Sequence, residues 1–479
     1  MSVPNYKEAL THSIFKIITE AADELNLPAF VIGGFVRDFF LKRGNKTDID
    51  VVAVGNGIEL AKLVAAKIPN KPKVQIFKTY GTAMLKAFDA EIEFVGARKE
   101  SYNENSRNPE VEQGSLTDDQ NRRDFTINAL ALQLNKKHFG DLLDPFNGIS
   151  DLGQGLIRTP LNPEITYSDD PLRMMRAIRF ASQLNFKIDI PSLDAITKNA
   201  DRIKIVSKER IMTEFNKIML SEVPSVGLKL MHKTKLLHLV LPELIALKGI
   251  DEIDGQRHKD NFWHTLEVVD NIAQETDDLW LRWAALLHDV GKAPTKKFTK
   301  KNGWTFHGHE FMGAKMVFQI FKRLKLPLND KMKFVQKLVL LSSRPIAVVD
   351  EDTTDSAVRR LIFDAGDYLE DLMTLCEADI TTKNPKRFEK YHNNFKKVRQ
   401  KIKEVEERDH VRNFQPPISG TEIIKWFDLA PGREVGELKS TVKEAILDGK
   451  IPNEYEAAKS FIFQQAEELG YNVKKKEDV

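Results

Sequence analysis

The pattern of apolar and polar positions divides the chain into two regions of different character. In roughly the first 150 residues, short β-branched runs such as FVI before Gly33 and VVAV after Asp50 alternate with amphipathic stretches, one near 5–25 and one beginning near Asp124. The runs AMLKAF and AEIEFVGA continue this alternation, whereas from about Leu156 onward the helical period dominates. The pattern predicts an α+β domain followed by an almost entirely helical remainder.

The composition is that of a globular protein. Of 479 residues, 42% are hydrophobic and 30% are charged, which excludes a disordered chain. Because 72 Lys+Arg face 70 Asp+Glu, any surface for a polyanion must be local. No apolar run reaches the roughly 18 residues of a membrane helix, and charged residues interrupt the amino-terminal stretch, so we expect a cytoplasmic protein. The single cysteine leaves histidine and carboxylate as ligands for any metal.

A glycine pair separates the first strand from a helix. In FVIGGFVRDFFL, Gly33 and Gly34 precede an apolar-periodic segment whose first turn carries Arg37. Backbone N–H groups at such a turn can bind phosphate oxygens, and the arginine can add a charge-assisted hydrogen bond. Taken alone, the same pattern is also typical of a tight turn that binds nothing.

Paired carboxylates follow on the next strands. In TDIDVVAV, alternation places Asp48 and Asp50 on one face, about 6–7 Å apart along the backbone. Carboxylates held side by side repel one another, and a divalent cation compensates for this; two exposed acids at a strand end are the alternative. Glu91 and Glu93 also share a strand face, and either could complete the set. Three carboxylates holding two Mg²⁺ ions about 4 Å apart form the apparatus for in-line nucleotidyl transfer.

Five motifs in order resemble those of the class II tRNA nucleotidyltransferase and bacterial poly(A) polymerase family. They are GGFVRD with DID at 33–38 and 48–50, NRRDFTINALAL at 121–132, DLLDPFNG at 141–148, SDDPLRMMRAIRFASQL at 168–184 and SKERIMTEF at 207–215. The resemblance implies an enzyme that adds CMP and AMP from CTP and ATP to tRNA 3′ ends with Mg²⁺ and without a nucleic-acid template. A poly(A) polymerase is the alternative within the family.

The resemblance also implies roles for individual residues. Asp48 and Asp50 would be metal ligands, and Glu93 is preferred to Glu91 as the third catalytic carboxylate. The nucleotide-binding residues would be Gly33, Gly34, Arg37, Arg122, Arg123, Asp124, Asn128, Asp169, Asp170, Arg173 and Arg176. Arg37 is expected near the triphosphate and Asp124 near the ribose.

The fourth motif has a physical interpretation of its own. Ser168 suits a helix N-cap and Pro171 a first helical turn. Asp170 and Arg173 then lie one turn apart, so that acceptors and donors together could read the Watson–Crick edge of cytosine or adenine. A surface ion pair is the alternative. Asp169 stands where the family usually has the glutamate that orients the arginine.

A polar segment lies between Arg98 and Gln120. Its weak periodicity predicts a mobile loop. It resembles the family loop linked to the switch from cytidine to adenosine addition, which favours synthesis of the complete CCA end.

A second constellation contains His264, His288, Asp289 and Asp379. It resembles the ligand set of the HD phosphohydrolase superfamily. Mixed imidazole and carboxylate ligands suit Mn²⁺, Ni²⁺, Co²⁺ or Fe²⁺, with water completing the shell for phosphate-ester hydrolysis. An RNA-binding scaffold without hydrolytic activity is one alternative, and a phosphohydrolase whose head only senses nucleotide is another.

Together the resemblances imply four domains. These are a polymerase-β-like nucleotidyltransferase head at 1–155, a helical neck for nucleotide selection and RNA binding at 156–245, an HD domain at 246–400 and a helical tail that contacts RNA at 401–479.

Overall fold

The chain folds into two compact units, Met1–Ile245 and Ala246–Val479. The structure, a computed structural model, describes residues 3–44, 47–78, 81–101, 110–253, 256–257, 259–349, 354–409, 412 and 414–471. Within these ranges no helix combines the length and the apolar character that crossing a bilayer requires.

A mixed sheet forms the amino-terminal part of the first unit. The strands up to residue 143 are β1 (Ala29–Ile32), β2 (Asp48–Ala53), β3 (Gln75–Phe77), β4 (Thr82–Ala87), β5 (Ala90–Gly96), β6 (Arg98–Ser101), β7 (Glu110–Gln113), β8 (Ala131–Gln133) and β9 (Leu142–Leu143). Among the described residues, seven of them join in the order β3-β4-β5-β2-β1-β8-β9. Only the central β2–β5 pair of this sheet is parallel.

The two faces of β2 have different surroundings. Ile49 and Val51 are fully buried on one face. Helix α1 (Ser13–Glu24) packs on α3 (Gly57–Lys67), which contacts β4 and β5, while α2 (Gly34–Phe40) follows β1. The opposite face carries Asp48 and Asp50, and a small apolar cluster that includes Val52 and Leu116 lies beside them. The predicted alternation along β2 is confirmed.

Two local predictions for the head are wrong. The flanks of the predicted mobile loop form an antiparallel pair, β6 with β7, followed by helix α4 (Leu116–Asn121); residues 102–109 lie outside the described ranges. The two strands are short and polar, so the apolar periodicity of the sequence does not reveal their pairing. No α-helix begins at Asp124, because Phe125 is extended and only a short 3₁₀ turn, Thr126–Asn128, follows.

Helices dominate the rest of the first unit. They are α5 (Gly148–Gln154), α6 (Pro163–Asp169), α7 (Leu172–Leu184), α8 (Ile190–Asn199), α9 (Lys208–Met219), α10 (Pro224–Lys233), α11 (Leu236–Val240) and α12 (Pro242–Ile245). A two-residue parallel pair, β10 (Leu156–Ile157) with β11 (Lys187–Ile188), accompanies them.

Helix α7 is buried on nearly all sides, because α9 and α10 both pack against it. Ser168 is not its N-cap, contrary to the prediction. The residue lies in the last turn of α6, and the chain turns at Asp170, whose backbone is extended. The Oδ1 atom of Asp170 accepts the N–H of Leu172 at 3.2 Å and so caps α7.

The second unit is also mainly helical. Its helices are α13 (Asn261–Glu275), α14 (Leu279–Leu287), α15 (Lys292–Thr295), α16 (His309–Leu324), α17 (Asp330–Leu341), α18 (Arg344–Val349), α19 (Asp355–Ala365), α20 (Leu369–Ala378), α21 (Pro385–Asp409), α22 (Gly420–Phe427), α23 (Arg433–Leu447) and α24 (Tyr455–Glu468). Its short strands are β12 (Glu252–Ile253), β13 (Gln256–Arg257), β14 (Lys297–Thr299) and β15 (Gly303–Thr305). Helices α13, α14 and α20 pack against one another.

Candidate active site and metal centre

The acidic residues of the head meet on two paired strands. In the parallel register of β2 and β5, Asp48 lies opposite Glu91 and Asp50 lies opposite Glu93. Alternation therefore directs all four carboxylates to one face of the sheet. The carboxylate of Glu91 is 2.6 Å from the ammonium group of Lys86, so Glu93 remains the better third carboxylate.

The electrostatics of this acidic cluster fit a divalent cation. Burial raises the pKa of Asp50; Arg123 opposes this shift and Asp48 reinforces it. Burial also raises the pKa of Glu93, and repulsion from Asp50 and Asp48 adds to the shift. Partly buried carboxylates that repel one another are stabilised by a hard cation with oxygen ligands, such as Mg²⁺.

Because Gly33 has no side chain, Arg123 and Asp50 can lie close to the turn. Gly33 has a positive φ of 84°, and a Cβ atom there would lie 3.0 Å from Nη1 of Arg123 and 3.4 Å from Oδ2 of Asp50. Only glycine adopts this conformation readily. The turn thus brings Arg123 next to the acidic cluster, with Gly34 beginning α2.

Arg37 points into the protein. It is only 6% exposed. Its Nε and Nη2 atoms donate to the carboxylate of Asp38 at 2.8 and 3.0 Å, and its Nη1 atom donates to Oδ1 of Asn128 at 2.7 Å. Each of the three nitrogens therefore has a protein partner, so Arg37 holds the glycine turn in place. Sequence reasoning missed Asp38, although it adjoins Arg37. The predicted contact of Arg37 with the triphosphate stays a prediction.

Asp124 joins the second motif to the fourth. Its Oδ1 atom accepts from Nδ2 of Asn128 and from the N–H of Phe125, both at 2.9 Å, and its Oδ2 atom accepts from Nε of Arg176 at 2.7 Å. Burial by itself raises the pKa of Asp124, but Arg176 and Asn128 lower it to about 2. The carboxylate is therefore charged and fixes the guanidinium of Arg176.

A buried acid that sequence reasoning missed lies on α4. The side chain of Asp119 is fully buried; it accepts from Nε of Arg122 at 3.0 Å and from Nε of Arg123 at 3.2 Å. The spacing i, i+3, i+4 within DDQNRRD is the signal that could have revealed it.

The predicted base selection by Asp170 and Arg173 stays a prediction, and the structure shows the local contacts of the residues around it. Arg173 is 9% exposed, which excludes the surface ion pair, and its Nη2 atom donates to the backbone carbonyl of Arg122 at 2.7 Å. Asp169 and Arg173 line a groove together with Arg122 and Lys99. Burial raises the pKa of Asp169, and Arg173 opposes the shift. Asp169 therefore faces Arg173 in the groove, while Asp170 caps α7.

In the second unit, three helices bring the predicted metal ligands together. His264 lies on α13, His288 directly follows α14 and Asp379 directly follows α20. The Nε2 atom of His264 is 2.7 Å from Oδ1 of Asp379, and Nε2 of His288 is 3.6 Å from the same oxygen. Asp289 is close as well, with its Oδ2 atom 3.4 Å from Nε2 of His288.

The atoms at this centre fit a metal ion. Nδ1 of His288 donates to the carbonyl of Ala285 at 2.7 Å, so its Nε2 atom faces the carboxylates. Among the described residues, Nε2 of His288 is buried without a hydrogen-bond partner, and Oδ1 of Asp379 has the close approach of the His264 imidazole. Burial disfavours the charged imidazole, but Asp289 and Asp379 raise the pKa of His288 to about 10. Lys292 already places one positive charge 2.7 Å from Oδ2 of Asp289; the two carboxylates also favour a cation beside His288, where a bound metal ion would displace the proton.

Comparison with known proteins decides the family. The chain matches the Poly A polymerase head domain over residues 29–158, the "Probable RNA and SrmB- binding site of polymerase A" over 185–248 and the HD domain over 261–372. It is 32% identical over 363 residues to the A-adding tRNA nucleotidyltransferase of Deinococcus radiodurans, covering 74% of this chain and 80% of the relative. The chain belongs to the tRNA nucleotidyltransferase family.

Further similarity agrees with this assignment. This tRNA nucleotidyltransferase is 29% identical over 427 residues to the CCA-adding enzyme of Bacillus velezensis, covering 89% of the chain and 91% of the relative. Its fold resembles the Thermotoga maritima CCA-adding enzyme complexed with tRNA, with a TM-score of 0.62, 21% identity and coverage of 97% and 100%. The predicted family and the predicted architecture of head, helical middle and HD domain are confirmed.

Proposed function

We propose that this tRNA nucleotidyltransferase adds CMP and AMP from CTP and ATP to the 3′ end of tRNA without a nucleic-acid template. The observation that carries the proposal is the parallel register that sets Glu93 opposite Asp50, two residues from Asp48 and beside the Gly33 turn. In this proposal Asp48 and Asp50 hold Mg²⁺, with Glu93 as the third carboxylate. Mg²⁺ held by these carboxylates would lower the pKa of the attacking 3′-hydroxyl and would neutralise charge on the leaving pyrophosphate.

The protein side chains divide the remaining work. Arg123, beside the turn and the acidic cluster, binds the triphosphate. Asp170 and Arg173 present acceptors and donors to the base, which suits either cytosine or adenine, and Asp169 orients the Arg173 guanidinium. Asp124 fixes the Arg176 guanidinium. Because these groups belong to the protein, no template strand is required.

The decisive experiment compares primers and nucleotides. A tRNA that ends before CCA, the same tRNA ending in CC, and an unrelated RNA are each incubated with CTP, ATP or both, with Asp50→Asn as the inactive control. Complete CCA synthesis predicts CC from CTP alone and CCA from both nucleotides. A long adenosine tail on the unrelated RNA would instead show a poly(A) polymerase.

A second candidate is addition of the terminal adenosine only. The 32% identity to the Deinococcus radiodurans A-adding enzyme supports it. In the same experiment it predicts extension of the tRNA ending in CC by ATP, and no product from CTP on the shorter tRNA.

We further propose that His264, His288, Asp289 and Asp379 hold Mn²⁺, Ni²⁺, Co²⁺ or Fe²⁺ for phosphate-ester hydrolysis. The convergence of three ligand atoms within 4.8 Å of one another supports this site. The rival in which the head only senses nucleotide predicts that Asp48→Ala leaves the main activity intact and His288→Ala removes it. Nucleotidyl transfer predicts the reverse.

Domain bounds and cellular location complete the proposal. We propose a head at 1–155, a neck at 156–245, an HD domain at 246–400 and a tail at 401–479, with the neck and tail contacting RNA. A cytoplasmic location follows from tRNA as the substrate.

A further inference from the structure

The buried acid on α4 holds two consecutive arginines. Asp119 is completely inaccessible to solvent. One carboxylate oxygen accepts from Nε and Nη2 of Arg122, and the other accepts from Nε of Arg123. A buried carboxylate is tolerated only when it is paired, and charge-assisted hydrogen bonds to guanidinium groups are strong and directional. The directions of both arginines are therefore set by this one residue.

The two arginines lead to different parts of the candidate site. Nη1 of Arg123 lies next to Gly33 and the carboxylate of Asp50. The backbone carbonyl of Arg122 accepts the hydrogen bond from Arg173, which faces the base-binding groove. A continuous series of contacts thus runs from the acidic cluster through Asp119 to the groove.

We propose that Asp119 is a positioning residue for the incoming nucleotide, which fixes the separation between the arginine that binds the triphosphate and the arginine that reads the base. The inference rests on the proposed function. The pairing also controls charge, because an unneutralised Asp119 would repel the phosphates and the neighbouring Asp50. A residue with this role affects nucleotide binding and orientation but does not affect the affinity for tRNA.

Asp119→Asn tests the proposal, because it keeps the shape and removes the charge. Asp23→Asn is the matched control: Asp23 also accepts a side-chain hydrogen bond in the head, from Nδ2 of Asn135 at 3.0 Å, but Asn135 bonds Ala29 at the start of β1, whereas Gly33 follows the end of this strand. For Asp119→Asn we expect kcat/KM for CTP and ATP to fall roughly 10–100-fold, mainly through KM, as is typical when a residue that orients a ligand-binding group is lost. The KM for tRNA should stay within about twofold, and Asp23→Asn should resemble the wild type.

A double-mutant cycle measures the coupling between Asp119 and Arg123. In a double-mutant cycle, Asp119→Asn should add little once Arg123→Ala is present, because both changes remove the same contact. A folded Asp119→Asn protein with wild-type KM for both nucleotides would overturn the inference. If Asp119→Asn does not fold, Asp119→Glu, which keeps the charge but lengthens the side chain, gives the same comparison.

Calorimetric titration with a non-hydrolysable ATP analogue separates this inference from the proposed function. Weaker analogue binding by Asp119→Asn than by Asp23→Asn supports the positioning role even if the wild type extends no tRNA. Equal binding by the two variants contradicts it.

Discussion

Arg176 on α7 donates through Nε to Oδ2 of Asp124 at 2.7 Å, across 52 residues of sequence. The aspartate is 8% exposed, and the ion pair joins the second motif to the helix of the fourth. The aromatic ring of Phe180, one turn further along α7, lies under the Arg176 guanidinium at 5.5 Å. The ion pair therefore contributes to stability as well as to the geometry of the site.

We expect Asp124 to make stability depend on pH. The folded-state pKa of about 2 lies below the ordinary value of 3.8, so the stabilisation is present above pH 4 and is lost as the pH falls through 2. The amount is about 2 kcal/mol. The difference in unfolding free energy between the wild type and Asp124→Asn should shrink by this amount between pH 4 and pH 2.

Two probes of urea unfolding isolate this effect. All five tryptophans lie after residue 260, so their fluorescence reports only the second unit. Circular dichroism reports both units. The pH-dependent difference should appear in the transition seen by circular dichroism and not by fluorescence. A difference that stays constant from pH 4 to pH 2 would argue against a charged Asp124.

The register of β5 on β2 predicts that substitutions of Glu91 and Glu93, both on β5, have unequal effects on nucleotide addition. Glu93→Gln should lower kcat for nucleotide addition by at least about 100-fold, because it removes one of the three carboxylates proposed to hold Mg²⁺ at the reacting phosphate. Glu91→Gln should stay within about threefold, because Glu91 pairs with Lys86. Single-turnover addition of one nucleotide to tRNA measures both. Equal losses of kcat in the two variants would show that activity depends on both carboxylates of this strand face and not on which one lies opposite Asp50.

Gly33→Ala should combine backbone strain with crowding at the site. Gly44 is the matched control, because it has a similar positive φ of 77° and no described residue within 4 Å of its Cβ position. Both alanine variants should lose about 1–3 kcal/mol of stability, because a positive φ strains a residue with a side chain, and Gly33, with a ψ of −132°, should lose more than Gly44. Only Gly33→Ala should also displace Arg123 and reduce kcat/KM for nucleotides by roughly tenfold or more. Equal kinetics for the two variants would refute a role for the close approach at Gly33.

The metal centre of the second unit should be separable from nucleotide addition. His288→Ala removes one of the four proposed ligands. We expect the affinity for Mn²⁺ to fall by at least about tenfold, because the three remaining ligands leave the site incomplete. His232→Ala, on α10 of the first unit, is a control histidine. Metal content after dialysis and single-nucleotide addition to tRNA are the two measurements. Loss of both together would indicate that the centre supports the fold or the transfer reaction.

Several side chains could not be placed from the sequence. Arg37 suits a phosphate at a glycine turn, but Asp38 and Asn128 bind all three of its nitrogens. Asp170 suits the Watson–Crick edge of a base, and one of its oxygens also caps α7. In both cases the residue type fits two environments, and for Arg37 the deciding partner, Asn128, lies 91 residues further along the chain.

The sequence by itself determined the alternation that sets Asp48 and Asp50 on one face, the order of the family motifs and the set of histidines and aspartates at the second centre. These features depend on backbone periodicity and residue chemistry, which are local. Only the tertiary structure decided that Glu93 lies opposite Asp50, that Arg37 binds Asn128 and that Asp119 is buried. The physical reason is that strand register and side-chain pairing depend on contacts between segments that are distant along the chain.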